Sequence, residues 1–221
     1  MHNLKSVLFS QYKVLAILSA SMFLSIFLLM IRMKITHTFF FIFLIWNLFL
    51  AVIPYAITTY LKSKESTNKW QLAIWFGIWL LFLPNAPYII TDLIHLKISK
   101  NPYFWLDVLV ITSFAYNGLI LFFLSLADIK EVLQKHISEN KVSYVIYALF
   151  PLTAFGIYLG RFLRYNSWDI LQHPTALFKD ILNMIIQPNQ HLEVWLFTFG
   201  FGSFLAISFR MFQVFQKTEK N

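Results

Sequence analysis

The sequence predicts an all-α polytopic membrane protein. It reads as a bundle of about six transmembrane helices, one broken at Pro84/Pro87, plus a short amphipathic interfacial helix. Three observations carry this. Of 221 residues, 58% are hydrophobic and 13% charged, about half the charge of a typical soluble domain. Six apolar stretches each approach the ~20 residues that cross ~30 Å of hydrocarbon. Most basic residues fall in the short segments between those stretches. The whole chain, 1–221, reads as a single integral membrane domain.

The same composition excludes several functions. A formal net charge of +8 would suggest nucleic acid in a soluble protein. Here the basic groups set orientation and meet anionic headgroups, so membrane lipids are the expected partners and nucleic acid is not. The chain has no cysteine, which removes thiolate catalysis, disulfides and Cys–zinc sites. The abundance of Lys, Ile, Phe and Asn fits a bacterial AT-rich genome.

The spans fall at residues 14–31, 38–60, 70–90, 103–126, 142–160 and 192–215. The first is 18 residues long, longer than a secretory signal core and without its cleavage site, so it reads as a retained helix. An even number of spans puts both termini on one side. Eleven basic residues fall on that side and seven on the other. The positive-inside bias therefore places both termini in the cytoplasm, in the bacterial plasma membrane. The ends of spans three and five and the start of span four then face outward together.

Span two carries Asn47, an amide that needs an interhelical partner in lipid. Span three is the most informative. From Trp70 to Leu83 it has 14 residues, about 21 Å of helix, too short to cross. Pro84 and Pro87 then push Leu83 and Ala86 away from helical geometry. The break at Asn85 either lines a wet cavity and binds a ligand, or is a kink in which Asn85 caps freed backbone groups. Beyond it, Thr91 or Asp92 suits the N-cap of a short surface helix. That helix puts Asp92 and His95 on one face, three apart. The pair can orient an imidazole for acid–base chemistry. Two ligands do not make a zinc site, which needs at least three from the protein; no metal is assigned, and the pattern names no cofactor.

Span four holds Asp107 near its outer edge. A carboxylate at that depth needs a cation, and Arg161 and Arg164 are the expected partners. A connection rich in both charge signs follows from Asp128 to Lys141. Span five carries the close-packing pattern Gly156-Ile-Tyr-Leu-Gly160. After it, Arg161 and Arg164 share a helix face, with Asn166 and Asp169 close behind. Two guanidinium groups suit a phosphate or carboxylate; equally, they snorkel to headgroups and pair with Asp107 or Asp169. Residues 175–187 alternate as an amphipathic interfacial helix, with Leu177, Phe178, Ile181, Leu182, Ile185 and Ile186 on one face. Gly200 and Gly202 in span six are expected packing contacts.

Three strings also carry a resemblance. They are Trp46-Asn47, Leu83-Pro-Asn-Ala-Pro-Tyr-Ile-Ile-Thr-Asp-Leu-Ile-His-Leu96 and Gly160-Arg-Phe-Leu-Arg-Tyr-Asn-Ser-Trp-Asp169. With them the chain, from span two through span six, resembles a bacterial family of multi-pass membrane proteins catalogued as domain of unknown function 1361. The resemblance implies the membrane topology and no catalytic residue.

Three functions fit these residues. An enzyme of the outer leaflet would use His95 as acid or base and Asp92 as its orienter, on an anionic or lipid-linked ligand. Asn85, Asp107, Arg161, Arg164, Asn166 and Asp169 would bind that ligand. A carrier or lipid-handling protein would bind the same ligand without chemistry. A structural or assembly subunit would use the polar residues only to hold the bundle together.

Overall fold

The structure is a computed structural model that describes residues 4–64, 67–98, 102–165, 167, 172 and 174–218. Among the described residues every regular element is helical. In chain order these are α1 (Leu4–Ser10), α2 (Tyr12–Thr36), α3 (Phe43–Ser63), α4 (Lys69–Phe82), α5 (Asn85–Tyr88), a 3-10 segment (Ile89–Ile98), α6 (Phe104–Gln134), α7 (Glu139–Phe162), α8 (Pro174–Ile186), a 3-10 turn (Pro188–His191) and α9 (Leu192–Thr218). Among the described residues six stretches are long and apolar enough to cross a membrane: α2, α3, the run from Lys69 to Lys97, α6, α7 and the run from Pro188 to Gln216. They match the six expected spans; most reach further at their ends, while span two begins at Phe43 rather than at residue 38. Large apolar side chains such as Ile17, Phe23, Ile74, Phe199 and Ile207 lie exposed along them. A water-soluble surface does not carry such a belt, whereas lipid covers it at no cost.

The chain divides into two compact units, Met1–His136 and Ile137–Asn221. In the first, α6 packs against α2, α3, α5 and the 3-10 segment. Its buried face runs through Val110, Ile111, Phe114, Leu121, Phe122, Leu126 and Ile129. In the second, α7 packs on α9. Tyr158, Met184 and Val194 form its buried centre, flanked by Phe155, Leu159 and Phe197. The Trp195 indole N–H donates to the Met184 carbonyl at 3.3 Å, tying the last turn of α8 to the start of α9.

The break in span three is narrower than the prolines suggest. Leu83 stays right-handed helical (φ −53°, ψ −42°), as does Pro84 (φ −61°, ψ −26°). Pro87 has no N–H, so the Leu83 carbonyl loses its usual partner four residues on. The Ala86 N–H takes it instead, at 3.3 Å. That frees the Phe82 carbonyl, which the Asn85 side-chain amide then caps at 3.0 Å. The path is a kink with its capping residue. Beyond it the helix tightens to 3-10 geometry rather than opening into a surface helix. The expected N-cap at Thr91 is absent; its hydroxyl instead donates back to the Tyr88 carbonyl at 2.6 Å.

Other boundaries move too. Span one continues to Thr36, and span four to Gln134, so Asp128 lies inside a helix rather than in a loop. α7 ends at Phe162, and Arg164 beyond it takes left-handed backbone (φ 63°). Arg161 and Arg164 therefore do not share the expected helix face. Of the two glycines in α9, Gly202 approaches the Pro151 backbone of α7, whereas a Cβ on Gly200 meets nothing within 4 Å.

At Gly118 of α6 an added Cβ would collide with the carbonyl oxygen of Ala86. The kinked span therefore approaches α6 closely only because residue 118 has no side chain. Gly118→Ala should cost about 1–3 kcal/mol from overpacking. Gly77→Ala, where nothing lies within 4 Å, should be neutral or up to about 1 kcal/mol more stable from helix propensity. Thermal unfolding of both variants in one detergent checks the contrast.

Candidate functional site

The residues of interest gather at one end of the first unit, where α2 ends, α3 begins, the 3-10 segment lies and α6 starts. In a 3-10 helix, side chains three apart are eclipsed. This segment therefore stacks Asp92 under His95 more directly than an α-helix would. The Asp92 side chain is fully buried, and its Oδ1 lies 3.8 Å from His95 Nε2; the imidazole is 26% exposed. The other carboxylate oxygen of Asp92 accepts from the Asn47 amide at 2.9 Å. Asn47 thus has the interhelical partner its depth requires. Phe43 and Phe40 frame the imidazole edge-on, with ring centroids 5.1 and 6.0 Å away.

A second buried carboxylate belongs to the same end. Asp107 is fully buried, and its Oδ1 accepts from Arg32 Nε at 2.9 Å. The expected partners were Arg161 and Arg164; the structure gives Asp107 the guanidinium of Arg32. The reason is the extra turn of α2, which carries Arg32 inside the helix at 4% exposure. Arg32 also donates through Nη1 to the Thr38 hydroxyl and carbonyl. His37, left-handed at φ 51°, turns the chain back so that Thr38 arrives there. The guanidinium lies over the Phe41 ring, 4.6 Å from its centroid. Phe41 in turn contacts Phe40 and Phe43. An aromatic floor therefore joins the Arg32–Asp107 pair to the Asp92–His95 pair.

Further hydrogen bonds lie below. The Asn117 amide donates to Ser25 Oγ and to the Ser113 carbonyl, both at 2.9 Å. Trp79 Nε1 donates to Ser125 Oγ at 2.7 Å. At the far end, Lys62 Nζ lies 2.8 Å from Asp128 Oδ1 and 2.7 Å from Glu131 Oε2. Tyr55 donates to Gln11 Oε1 at 3.0 Å.

Asn85 serves the kink described above. Arg161, at the end of α7, and Arg164, beyond it, belong to the second unit; there Tyr165 donates to Asp180 Oδ2 at 2.8 Å. Asn166 and Asp169 fall outside the described residues. Among the described residues no group of three His, Cys, Asp or Glu side chains is placed to hold a metal. Sequence reading missed Arg32. The signal was present: the apolar run before it is long enough for the helix to continue past Ile31.

Asn47→Leu removes a donor from a buried carboxylate and should cost about 1–3 kcal/mol. Asn47→Leu with Asp92→Leu should recover most of that loss, because no unpaired charge remains. Chemical or thermal unfolding of the three variants reads the difference.

Residues 46–208 match a family model described as "Protein of unknown function (DUF1361)". No curated protein and no solved structure matches the chain. The matched stretch runs from early α3 into α9 and holds Asn47, Asp92, His95 and Asp107, while Arg32 precedes it. The chain belongs to the DUF1361 family of proteins of unknown function.

Proposed function

We propose that this integral membrane protein binds an anionic or lipid-linked ligand at the end of its first unit, with His95 transferring a proton and Asp92 orienting it. The observation that carries this reading is the His95–Asp92–Asn47 arrangement. A base needs a partner that fixes its ring, and that partner needs its own support. Here a fully buried carboxylate lies 3.8 Å from an imidazole that keeps 26% of its surface open, while Asn47 holds the carboxylate from behind.

The surroundings support the choice of ligand. Leu93 and Ile94 beside His95, and Phe40 and Trp46 nearby in sequence to its aromatic frame, are exposed and apolar. A ligand carried in the bilayer meets that surface without leaving lipid. Lys34 and Lys97, at the same end, are exposed and positive, which suits an anionic group. In this reading the site faces outward from the bacterial plasma membrane, with both chain termini in the cytoplasm. Arg32 is not a ligand clamp, because Asp107 and Thr38 already occupy it.

The test is native mass spectrometry of protein released from nanodiscs of total membrane lipid extract. Wild type should retain one discrete anionic species. His95→Ala should lose it by at least tenfold while its unfolding midpoint stays within a few degrees. If neither protein retains a species and Asp92→Asn merely unfolds earlier, the polar cluster is structural and the proposal fails.

A further inference from the structure

Arg210 sits within the apolar run of α9, about 27 Å along the helix axis from Leu192. It therefore lies near the far edge of a ~30 Å hydrocarbon layer. The residues after it, Met211, Val214 and Phe215, are still apolar and exposed. An arginine at this depth needs an anion, as Arg32 does. Arg32 has Asp107, whereas among the described residues Arg210 makes no ion pair or hydrogen bond. Arg210 is itself exposed.

The ground beside it is shaped. Arg210 borders an open groove of about 450 Å³ whose wall includes Tyr147 of α7 and Ile207, Met211, Val214 and Phe215 of α9. The wall itself presents apolar atoms only, Arg210 lining it with its aliphatic stem, so the charged end of the side chain lies at the groove's margin. An occupant must therefore be apolar along its length and carry an anionic group where Arg210 reaches it. Among molecules in contact with a membrane-spanning helix, an anionic phospholipid has that chemistry. Its phosphate accepts two parallel N–H bonds from a guanidinium, and its chain lies along Ile207 and the α7 side of the groove.

We propose that this groove is a binding site for one anionic phospholipid, with the phosphate on Arg210 and an acyl chain in the groove between α7 and α9. The site lies wholly in the second unit and does not depend on the Asp92–His95 reading.

The experiment uses the full chain in phosphatidylcholine vesicles containing a few per cent of phosphatidylglycerol with a photoactivatable diazirine on one acyl chain. Phosphatidylcholine with the same chain is the comparator. After irradiation, labelled peptides are mapped by mass spectrometry. The phosphatidylglycerol probe should label residues 206–215 at least fivefold more than the comparator. Arg210→Gln should remove that excess, and Arg210→Lys should keep part of it. Ala206→Phe fills the groove but leaves the charge; it should also remove the label without shifting the unfolding midpoint. Equal labelling by the two probes, or an excess that survives Arg210→Gln, overturns the proposal.

Discussion

The first unit is arranged around the buried bond between Arg32 and Asp107. Either group alone at that depth is costly, because lipid offers no water to solvate a charge. Together they join the last turns of α2 to the first turn of α6 at 2.9 Å. Thr38 accepts from Nη1 through its hydroxyl and its carbonyl, which fixes the connection into α3. Phe41, packed on the guanidinium, then sets the aromatic floor on which His95 rests. The geometry of the candidate site thus follows from the need to neutralise one carboxylate.

The same demand organises α6 along its whole length. Asp107, Asn117, Ser125 and Asp128 fall within roughly 80° of one another around a helix of 3.6 residues per turn. Each is almost fully buried and each is met by another helix. Arg32 and Ser25 come from α2, Trp79 from α4 and Lys62 from α3. Hydrophobicity does not hold helices together in lipid as it does in water, so such bonds and close backbone contacts must do so. Gly118 supplies the close contact, admitting Ala86 against α6. The kink at Pro84–Pro87 lets the chain pass this point and continue as a 3-10 helix. That tighter winding brings Asp92 and His95 into line.

Much of this was legible in the sequence. Composition and apolar run lengths give the six spans, because crossing hydrocarbon imposes a length that few other folds share. The break at residues 84–87 and the Asp92–His95 spacing are also readable, since proline chemistry and helical repeat are local. Asn47 announces a partner but not which one. Arg32 was hidden because a charge ordinarily ends a membrane helix, when a buried carboxylate three spans later allows it to stay inside. Arg164 was misjudged for the opposite reason. Its spacing from Arg161 assumes a helix that has already ended at Phe162. Pairings across the bundle depend on depth and rotation, which no local pattern specifies.

The most direct measurement is a double-mutant cycle of Arg32 and Asp107, read by unfolding in a fixed detergent. Arg32→Met and Asp107→Leu should each cost about 3–5 kcal/mol, because each strands a buried charge, and the double variant should recover most of that. Losses that simply add, or single variants as stable as wild type, would contradict the account, because Arg32 would then not be the group that holds Asp107 in place.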